Sequence, residues 1–169
     1  MPSKLNKAGF LDRSGVINEE RGAYTWELED FKLNTDLIPA LKSFQDAGFL
    51  MVVISNQGGI GKGMYTKQQA DYLHLHLQRN LANQGIEILE VYYCPHHPDE
   101  TKCICRKPDS LLLEKAMARF QIDPKQSWFI GDAERDIEAG VKAGVKPVKI
   151  HSNQSLLEIV PLILGTSNE

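Results

Sequence analysis

Short apolar runs alternate with amphipathic helical patterns along the whole of this 169-residue sequence. Five runs have the length and apolar content of buried strands, at about residues 7–12, 49–55, 88–93, 127–131 and 146–150. Five segments have helical spacing, at about residues 36–47, 66–84, 110–120, 134–143 and 156–164. This alternation predicts an α/β fold in which a mainly parallel sheet carries helices on both faces.

Length and charge limit the classes of protein to which the chain can belong. At this length we expect one domain over residues 1–169. The formal net charge is −3 and no Lys/Arg run is dense, which argues against a nucleic-acid partner. No apolar run approaches the roughly 18 residues of a membrane span, and residues 1–7 are too short and polar for a secretion signal. We therefore expect a monomeric cytoplasmic protein without a membrane partner.

The stretch Gly9–Asn18 places a carboxylate at the end of the first predicted strand. Its apolar run ends in Asp12, and Gly15 turns the backbone shortly afterwards. The carboxyl edge of a parallel sheet is where ligands bind, and an Asp there can act as nucleophile or metal ligand. Taken alone, Asp-x-x-Gly is more often a polar strand end followed by a turn. The catalytic interpretation therefore depends on the rest of the chain.

Two later strands also end in residues that can carry chemistry. The run Leu50–Ile54 is followed by Ser55–Gly59, and a second apolar run is followed by Gly131 and Asp132. Lys107 lies between them in the sequence. An Asp, then a Ser, then a Lys, then an acidic pair, in this order, resembles the haloacid dehalogenase (HAD) superfamily of phosphatases.

Four motifs resemble one branch of that superfamily, the heptose 1,7-bisphosphate phosphatases and histidinol phosphatases. They are Asp12–Asn18, Ser55–Gln57, Tyr92–Pro98 and Cys105–Pro108. The resemblance extends over nearly the whole chain and implies a three-layer α/β/α, Rossmann-like HAD fold. No interval between the predicted elements is long enough for a large cap domain, so we expect an open site covered mainly by loops.

The resemblance implies a catalytic role for each motif. Asp12 would attack phosphorus and form an aspartyl-phosphate. Asp12, the backbone carbonyl of Ser14 and Asp132 would hold a catalytic Mg²⁺. The Ser55 hydroxyl and the Lys107 ammonium would bind the transferred phosphoryl group.

Further residues are expected to contact a small phosphorylated substrate. These are Glu20, Arg21, Gly22, Asn56, Gln57, Gly58 and Arg106. Two alternatives stay open for Asp136, which could orient Lys107 or metal-bound water, or simply favour a helix N-terminus. The aromatic residues Tyr24, Trp26 and Phe31, in the long first connection, are expected to pack against the rim of the sheet rather than contact a ligand.

A group of cysteines and one histidine predicts a zinc site. The three cysteines of the chain, an odd number, argue against a disulfide framework. Chance clustering of buried cysteines is the alternative. The expected ligands, which form a tetrahedral Cys₃His set in the loop 94–105, are Cys94, His96, Cys103 and Cys105. With four protein ligands the Zn²⁺ would be structural, and it would hold Arg106 and Lys107 in place.

One position departs from the family pattern, because Ser14 stands where the acid/base Asp is expected. Loss of a general acid/base costs on the order of 10² to 10⁴ in rate. We therefore predict a slowed Mg²⁺-dependent phosphatase, with a heptose 1,7-bisphosphate as the favoured substrate and histidinol phosphate as the alternative. A catalytically lapsed paralogue that binds phosphometabolites, and a serine introduced to trap a complex, are the remaining interpretations.

Overall fold

The computed structural model describes residues 4–165, and a five-stranded sheet forms its centre. The strands are β1 (Ala8–Leu11), β2 (Leu50–Asn56), β3 (Ile88–Cys94), β4 (Trp128–Gly131) and β5 (Lys146–Lys149). Their spatial order is β3-β2-β1-β4-β5, and every neighbouring pair is parallel. Each predicted strand is confirmed to within one residue at either end.

The helices connect these strands. They are α1 (Leu37–Asp46), α2 (Gly58–Gly61), α3 (Lys67–Asn83), α4 (Leu111–Phe120), α5 (Glu134–Ala143) and α6 (Val160–Leu164). Short 3₁₀ turns lie at Leu28–Asp30, Pro124–Gln126 and Leu156–Glu158. The helix α3 begins with the expected capping box: Thr66 Oγ1 accepts from the Gln69 amide at 3.1 Å, and Gln69 Oε1 accepts from the Thr66 amide at 2.9 Å.

One predicted helix is divided in the structure, and one helical turn was not predicted. A continuous helix was expected over 156–164, but a 3₁₀ turn and α6 divide it. Pro161 explains the division, because its ring has no amide hydrogen and would clash with the carbonyl of residue 157 in a continuous helix. The Gly-rich stretch after β2, for which no helix was predicted, forms the single helical turn α2.

Helices cover both faces of the sheet, so the predicted three-layer α/β/α architecture is confirmed. Alternate residues of β1 face opposite layers: Leu11 packs in one core and Phe10 in the other. The first core includes residues of α1 and α3 together with Leu156 and Ile159. The second core is formed with α4 and α5.

The strand order creates a crevice at the carboxyl end of β1. From β1 the chain adds β2 and β3 on one side, and it then returns to place β4 and β5 on the other. Ligands bind at such a point of reversal in open α/β sheets. Residues 4–165 contain one sheet and no inserted cap domain, as expected.

None of the helices among residues 4–165 combines the length and apolar content needed to cross a membrane. The prediction of one domain over residues 1–169 stays a prediction, because residues 1–3 and 166–169 lie outside the described part of the chain. The first three residues of the polar N-terminal segment, for which no secretion signal was expected, thus lie outside the described residues.

Candidate active site

Asp12 lies at the carboxyl end of β1, where the sequence places it. Its backbone amide donates to the Ile130 carbonyl of β4 at 3.0 Å, which continues the sheet by one residue. The residue is only 6% exposed, and it lines a mostly polar cavity of about 490 Å³. Asp12 and Asp132 therefore come together at one edge of the sheet, as the strand pattern predicts.

Lys107 is buried beneath the cavity, with 1% of its surface exposed. Its ammonium nitrogen lies 2.7 Å from Asp12 Oδ1, 2.7 Å from Asp136 Oδ1 and 2.9 Å from the Ile54 carbonyl. Burial by itself lowers the pKa of this lysine, but the two carboxylates outweigh burial and raise the pKa above its ordinary value. Lys107 is therefore a charged ammonium that donates to Asp12 and the Ile54 carbonyl and forms an ion pair with Asp136.

Asp136 serves both of the roles left open by the sequence. Its Oδ1 pairs with Lys107, and its Oδ2 accepts from the Ala133 amide at the start of α5 at 3.2 Å. Burial raises the pKa of this carboxyl despite the ammonium beside it. Asp136 thus anchors the Lys107 side chain while it also stabilises the first turn of α5.

The carboxylates at this edge suit a hard divalent cation. One oxygen each from Asp12, Asp132 and Asp136 lies within 4.8 Å of the other two. Oxygen donors are the ligands that Mg²⁺ prefers, and Lys107 alone does not offset three negative charges. Since Asp136 is already paired with Lys107, Asp12 and Asp132 are the side chains suited to hold the ion.

Asp132 is held in place by neighbouring residues. Ser152 donates a hydrogen bond to its Oδ2 at 2.6 Å. Gly15 has a positive φ of 89°, and a Cβ added there would overlap the same carboxylate oxygen. Glycine is therefore required at position 15 both by the backbone conformation and by the close approach of Asp132.

The phosphate-binding stretch after β2 is present, but part of it is engaged elsewhere. Ser55, Asn56, Gln57 and Gly58 line the cavity. The backbone amide of Gln57, which was expected to bind phosphate, instead donates to the Cys94 carbonyl at 2.8 Å. The Asn56 side chain makes two hydrogen bonds to the backbone of Lys107. Its Oδ1 accepts from the Lys107 amide at 3.0 Å, and its Nδ2 donates to the Lys107 carbonyl at 3.2 Å.

Most of the predicted site residues share the cavity. Those that line it are Asp12, Ser14, Glu20, Gly22, Ser55, Asn56, Gln57, Gly58, Arg106 and Asp132. Lys107 lies below it and contacts Asp12. Arg21 does not line it: its guanidinium donates to Thr25 Oγ1 and the Tyr24 carbonyl, and it pairs with Asp30. Arg21 therefore stabilises the long connection between β1 and α1, in which it lies.

Two arginines that the sequence interpretation did not select also line the cavity, Arg13 and Arg135. Arg135 lies in the first turn of α5, three residues after Asp132, so its position at the sheet edge was the available signal. Arg13 follows Asp12 directly and is 1% exposed, with Nη1 3.1 Å from His74 Nε2. Burial lowers the pKa of Arg13 to about 10 and that of His74 to about 3.

The aromatic residues of the first loop divide between packing and the cavity. Trp26 stacks on Tyr65 with ring centroids 5.9 Å apart, and Phe31 lies 5.5 Å from the Arg13 guanidinium. Both have the packing role expected of them. Tyr24 is different, because it lines the cavity while its ring also lies 6.1 Å from Tyr65.

The predicted zinc ligands converge on one point. Cys94 Sγ lies 3.0 Å from Cys105 Sγ and 3.6 Å from Cys103 Sγ, and His96 Nδ1 is 3.4 Å from Cys94 Sγ. Sulfurs around a tetrahedral zinc lie about 3.8 Å apart, so the thiols of Cys94 and Cys105 would separate by less than about 1 Å to hold the ion. The donor set and its spacing therefore fit a closed Cys₃His site.

The same loop is connected to the cavity through Arg106. The Arg106 Nη1 donates to the His96 carbonyl at 3.3 Å, and a Cβ on Gly58 would lie 3.1 Å from that nitrogen. A rigid loop at 94–105 thus fixes the position of the guanidinium at the cavity wall.

Comparison with known proteins agrees with this geometry. A HAD-hydrolase-like family model matches residues 104–158. The D-glycero-alpha-D-manno-heptose-1,7-bisphosphate 7-phosphatase of Photorhabdus laumondii is 39% identical over 145 residues, which cover 82% of this chain and 79% of that protein. The D-glycero-beta-D-manno-heptose-1,7-bisphosphate 7-phosphatase of Haemophilus influenzae is 38% identical, covering 84% of this chain and 79% of that protein.

Solved structures give the same result. The D,D-heptose 1,7-bisphosphate phosphatase from B. bronchiseptica, solved with magnesium and phosphate, aligns with a TM-score of 0.80 and 27% identity over 90% of this chain and 86% of that one. Fold, cavity and sequence identity thus agree. The chain belongs to the heptose 1,7-bisphosphate phosphatase family of HAD-type, metal-dependent phosphoric monoester hydrolases.

Proposed function

We propose that this chain hydrolyses a D-glycero-D-manno-heptose 1,7-bisphosphate, with Asp12 as the nucleophile. The observation that carries the proposal is the Asp12 carboxylate, which lies 2.7 Å from Lys107 Nζ and beside Asp132 at the base of an open cavity. Arg106 and Arg135 on the cavity wall offer donors for a second phosphate. The names of the relatives support the sugar bisphosphate as the substrate.

The first step is attack of Asp12 on phosphorus. Lys107 binds Oδ1, which leaves Oδ2 as the attacking oxygen. A P–O bond forms to Asp12, and the bond from phosphorus to the sugar oxygen breaks, so that the oxygen leaves with the electron pair. Water then hydrolyses the aspartyl-phosphate and releases inorganic phosphate. Ser55 donates to the phosphoryl oxygens, while Lys107 holds the nucleophile in one orientation.

The metal that supports this reaction would be Mg²⁺. Asp12, the Ser14 carbonyl and Asp132 are the groups that would hold it, and once bound it offsets the negative charge of the phosphate and the nucleophile. We also assign a structural Zn²⁺ to Cys94, His96, Cys103 and Cys105, as their converging donor atoms suggest.

Ser14 determines the expected rate. A serine hydroxyl neither protonates the leaving oxygen nor activates water well near neutral pH, so turnover is slowed. Acyl and anomeric phosphates, whose leaving groups need little protonation, are affected least. The serine at position 14 is also the observation that favours the second candidate function, a phosphometabolite-binding or regulatory module without catalysis. We keep cytoplasmic location and a monomeric state as predictions of the sequence.

The test is a comparison of the wild-type protein with Ser14→Asp. Phosphate release with Mg²⁺ is measured on the alpha and beta heptose bisphosphates and on histidinol phosphate. We expect the heptose substrate to be preferred and Ser14→Asp to raise kcat by about 10² or more. Equal rates for the two proteins contradict the role given to position 14. Binding of inorganic phosphate without turnover, even after Ser14→Asp, supports the non-catalytic alternative.

A further inference from the structure

The Ser55 hydroxyl is held by a buried amide. Gln57 Nε2 donates a hydrogen bond to Ser55 Oγ at 2.7 Å, and the two residues are 3% and 2% exposed. A hydroxyl that accepts a hydrogen bond still has its own hydrogen to donate. Ser55 Oγ also approaches the Asn56 carbonyl, but at 3.4 Å that contact is too long to compete with a charged acceptor.

The orientation of the Gln57 amide is set from the other side by Tyr65. The Tyr65 hydroxyl donates to Gln57 Oε1, so the amide presents its NH₂ group to Ser55. Burial raises the pKa of Tyr65 to about 12, which keeps the hydroxyl protonated at neutral pH. A chain of three side chains thus extends from Tyr65 through Gln57 to the cavity.

Tyr65 is itself fixed by its surroundings. It directly precedes the N-cap residue Thr66 of α3, and its ring stacks on Trp26 with an interplanar angle of 10°. A Cβ at Gly59 would overlap the Tyr65 ring, so glycine permits the ring to cross α2. A side chain held in this way can hold its hydrogen-bond partners in one arrangement.

We propose that Tyr65 and Gln57 are positioning residues, which direct the Ser55 hydrogen into the cavity toward a phosphoryl oxygen. This inference rests on the proposed function, since it requires phosphate beside Ser55. The benefit follows from preorganisation, because a donor already aimed at the developing negative charge needs no reorientation during the reaction. Gln57 is then not a direct substrate contact but acts through Ser55.

Two substitutions test the chain of hydrogen bonds. Tyr65→Phe keeps the ring and removes the hydroxyl, which frees the Gln57 amide to rotate. Gln57→Glu replaces the NH₂ donor with an acceptor, which draws the Ser55 hydrogen away from the cavity. We expect affinity for inorganic phosphate with Mg²⁺ to fall by about 3-fold in the first variant and about 10-fold in the second. The kcat should fall more than KM rises, because the negative charge grows in the transition state.

The Ser55→Ala background separates positioning from general damage. If both residues act through the hydroxyl, neither substitution changes phosphate affinity or kcat by more than about 2-fold in that background. The matched control is Tyr93→Phe, which removes a tyrosine hydrogen bond to Asp71 of 2.6 Å outside the cavity. We expect it to behave as wild type. Thermal melting of every variant shows whether it is folded, and Gln57→Glu tests the inference should Tyr65→Phe fail to fold.

The outcomes distinguish the inference from the proposed function. Phosphate binding that is unchanged in Tyr65→Phe and Gln57→Glu, or losses that are equally large with and without Ser55, overturn the positioning role and leave the proposed function intact. Failure of both the wild-type protein and Ser14→Asp to bind inorganic phosphate contradicts the proposed function and the inference together.

Discussion

At the scale of single residues, Lys107 connects two carboxylates of the site. Its ammonium donates to Asp12 and the Ile54 carbonyl and forms an ion pair with Asp136. The paired charges are almost completely buried, so removal of Lys107 leaves carboxylate charge uncompensated, at a cost of about 3–5 kcal/mol. Lys107 therefore joins Asp12, the proposed nucleophile at the end of β1, to Asp136 in the first turn of α5.

Substitution of Gly15 tests the proposed Mg²⁺ site at Asp132. We expect Gly15→Ala to displace Asp132, because a Cβ at Gly15 would overlap Asp132 Oδ2, and to lower Mg²⁺-dependent phosphatase activity by about 100-fold. The measurement is phosphate release against Mg²⁺ concentration. Gly63→Ala is the matched control, since Gly63 also has a positive φ, of 75°, with nothing within 4 Å of the added Cβ. Equal activity losses in both variants would show that backbone strain alone is responsible.

At the scale of elements, the loop between β3 and α4 joins the sheet to the cavity. It begins at Cys94, the last residue of β3, and reaches Arg106, whose guanidinium binds the His96 carbonyl. A short polar loop has little apolar surface to bury, so a bound cation is an effective way to fix it. The proposed zinc thus has a consequence for the position of Arg106.

We expect the purified wild-type protein to hold one zinc per chain and Cys103→Ser to lose it. Loss of a structural ion should lower the melting temperature by about 10 °C, which corresponds to a few kcal/mol. Metal analysis and thermal melting are the measurements. The control is Ile104→Ser, because Ile104 is 73% exposed between two proposed ligands. A wild-type protein that holds no zinc, and whose melting temperature is unaffected by Cys103→Ser, would contradict the structural zinc site.

At the scale of the whole molecule, a buried pair joins a helix layer to the end of β1. His74 of α3 contacts Arg13, and the two residues are 4% and 1% exposed. His74 must be neutral to accept from the guanidinium, and burial together with the Arg13 charge lowers its pKa to about 3. The folded chain therefore excludes a proton that the unfolded chain binds below about pH 6.5.

This pair gives the molecule a pH-dependent stability. The contribution of His74 is complete above about pH 6.5 and is lost as the pH falls toward 3, at up to about 1.4 kcal/mol per pH unit. We expect His74→Gln to weaken the pH dependence of the free energy of unfolding between neutral pH and about pH 5, as measured by urea denaturation. His76→Gln, which removes an exposed histidine of α3, is the control. The same pH dependence in both variants would show that the buried pair is not its cause.

The sequence by itself determined the sheet, the helix layers and the edge at which the chemistry lies. Apolar periodicity is a local property, so each strand was placed to within one residue. The residue types after β1, β2 and β4 likewise determined that Asp12, Ser55 and Asp132 would meet, because the carboxyl ends of parallel strands share one edge. The clustering of cysteines within one loop likewise predicted that Cys94, Cys103 and Cys105 would lie together with His96.

Only the tertiary structure decided what each side chain does at that edge. Arg21 bonds within its own loop, whereas Arg13 and Arg135 line the cavity. These outcomes depend on the path of loops and on contacts between residues far apart in the chain, which a local pattern does not encode. The polar contacts of Lys107 and the orientation of Gln57 by Tyr65 have the same origin: they arise only when packing brings separate elements together.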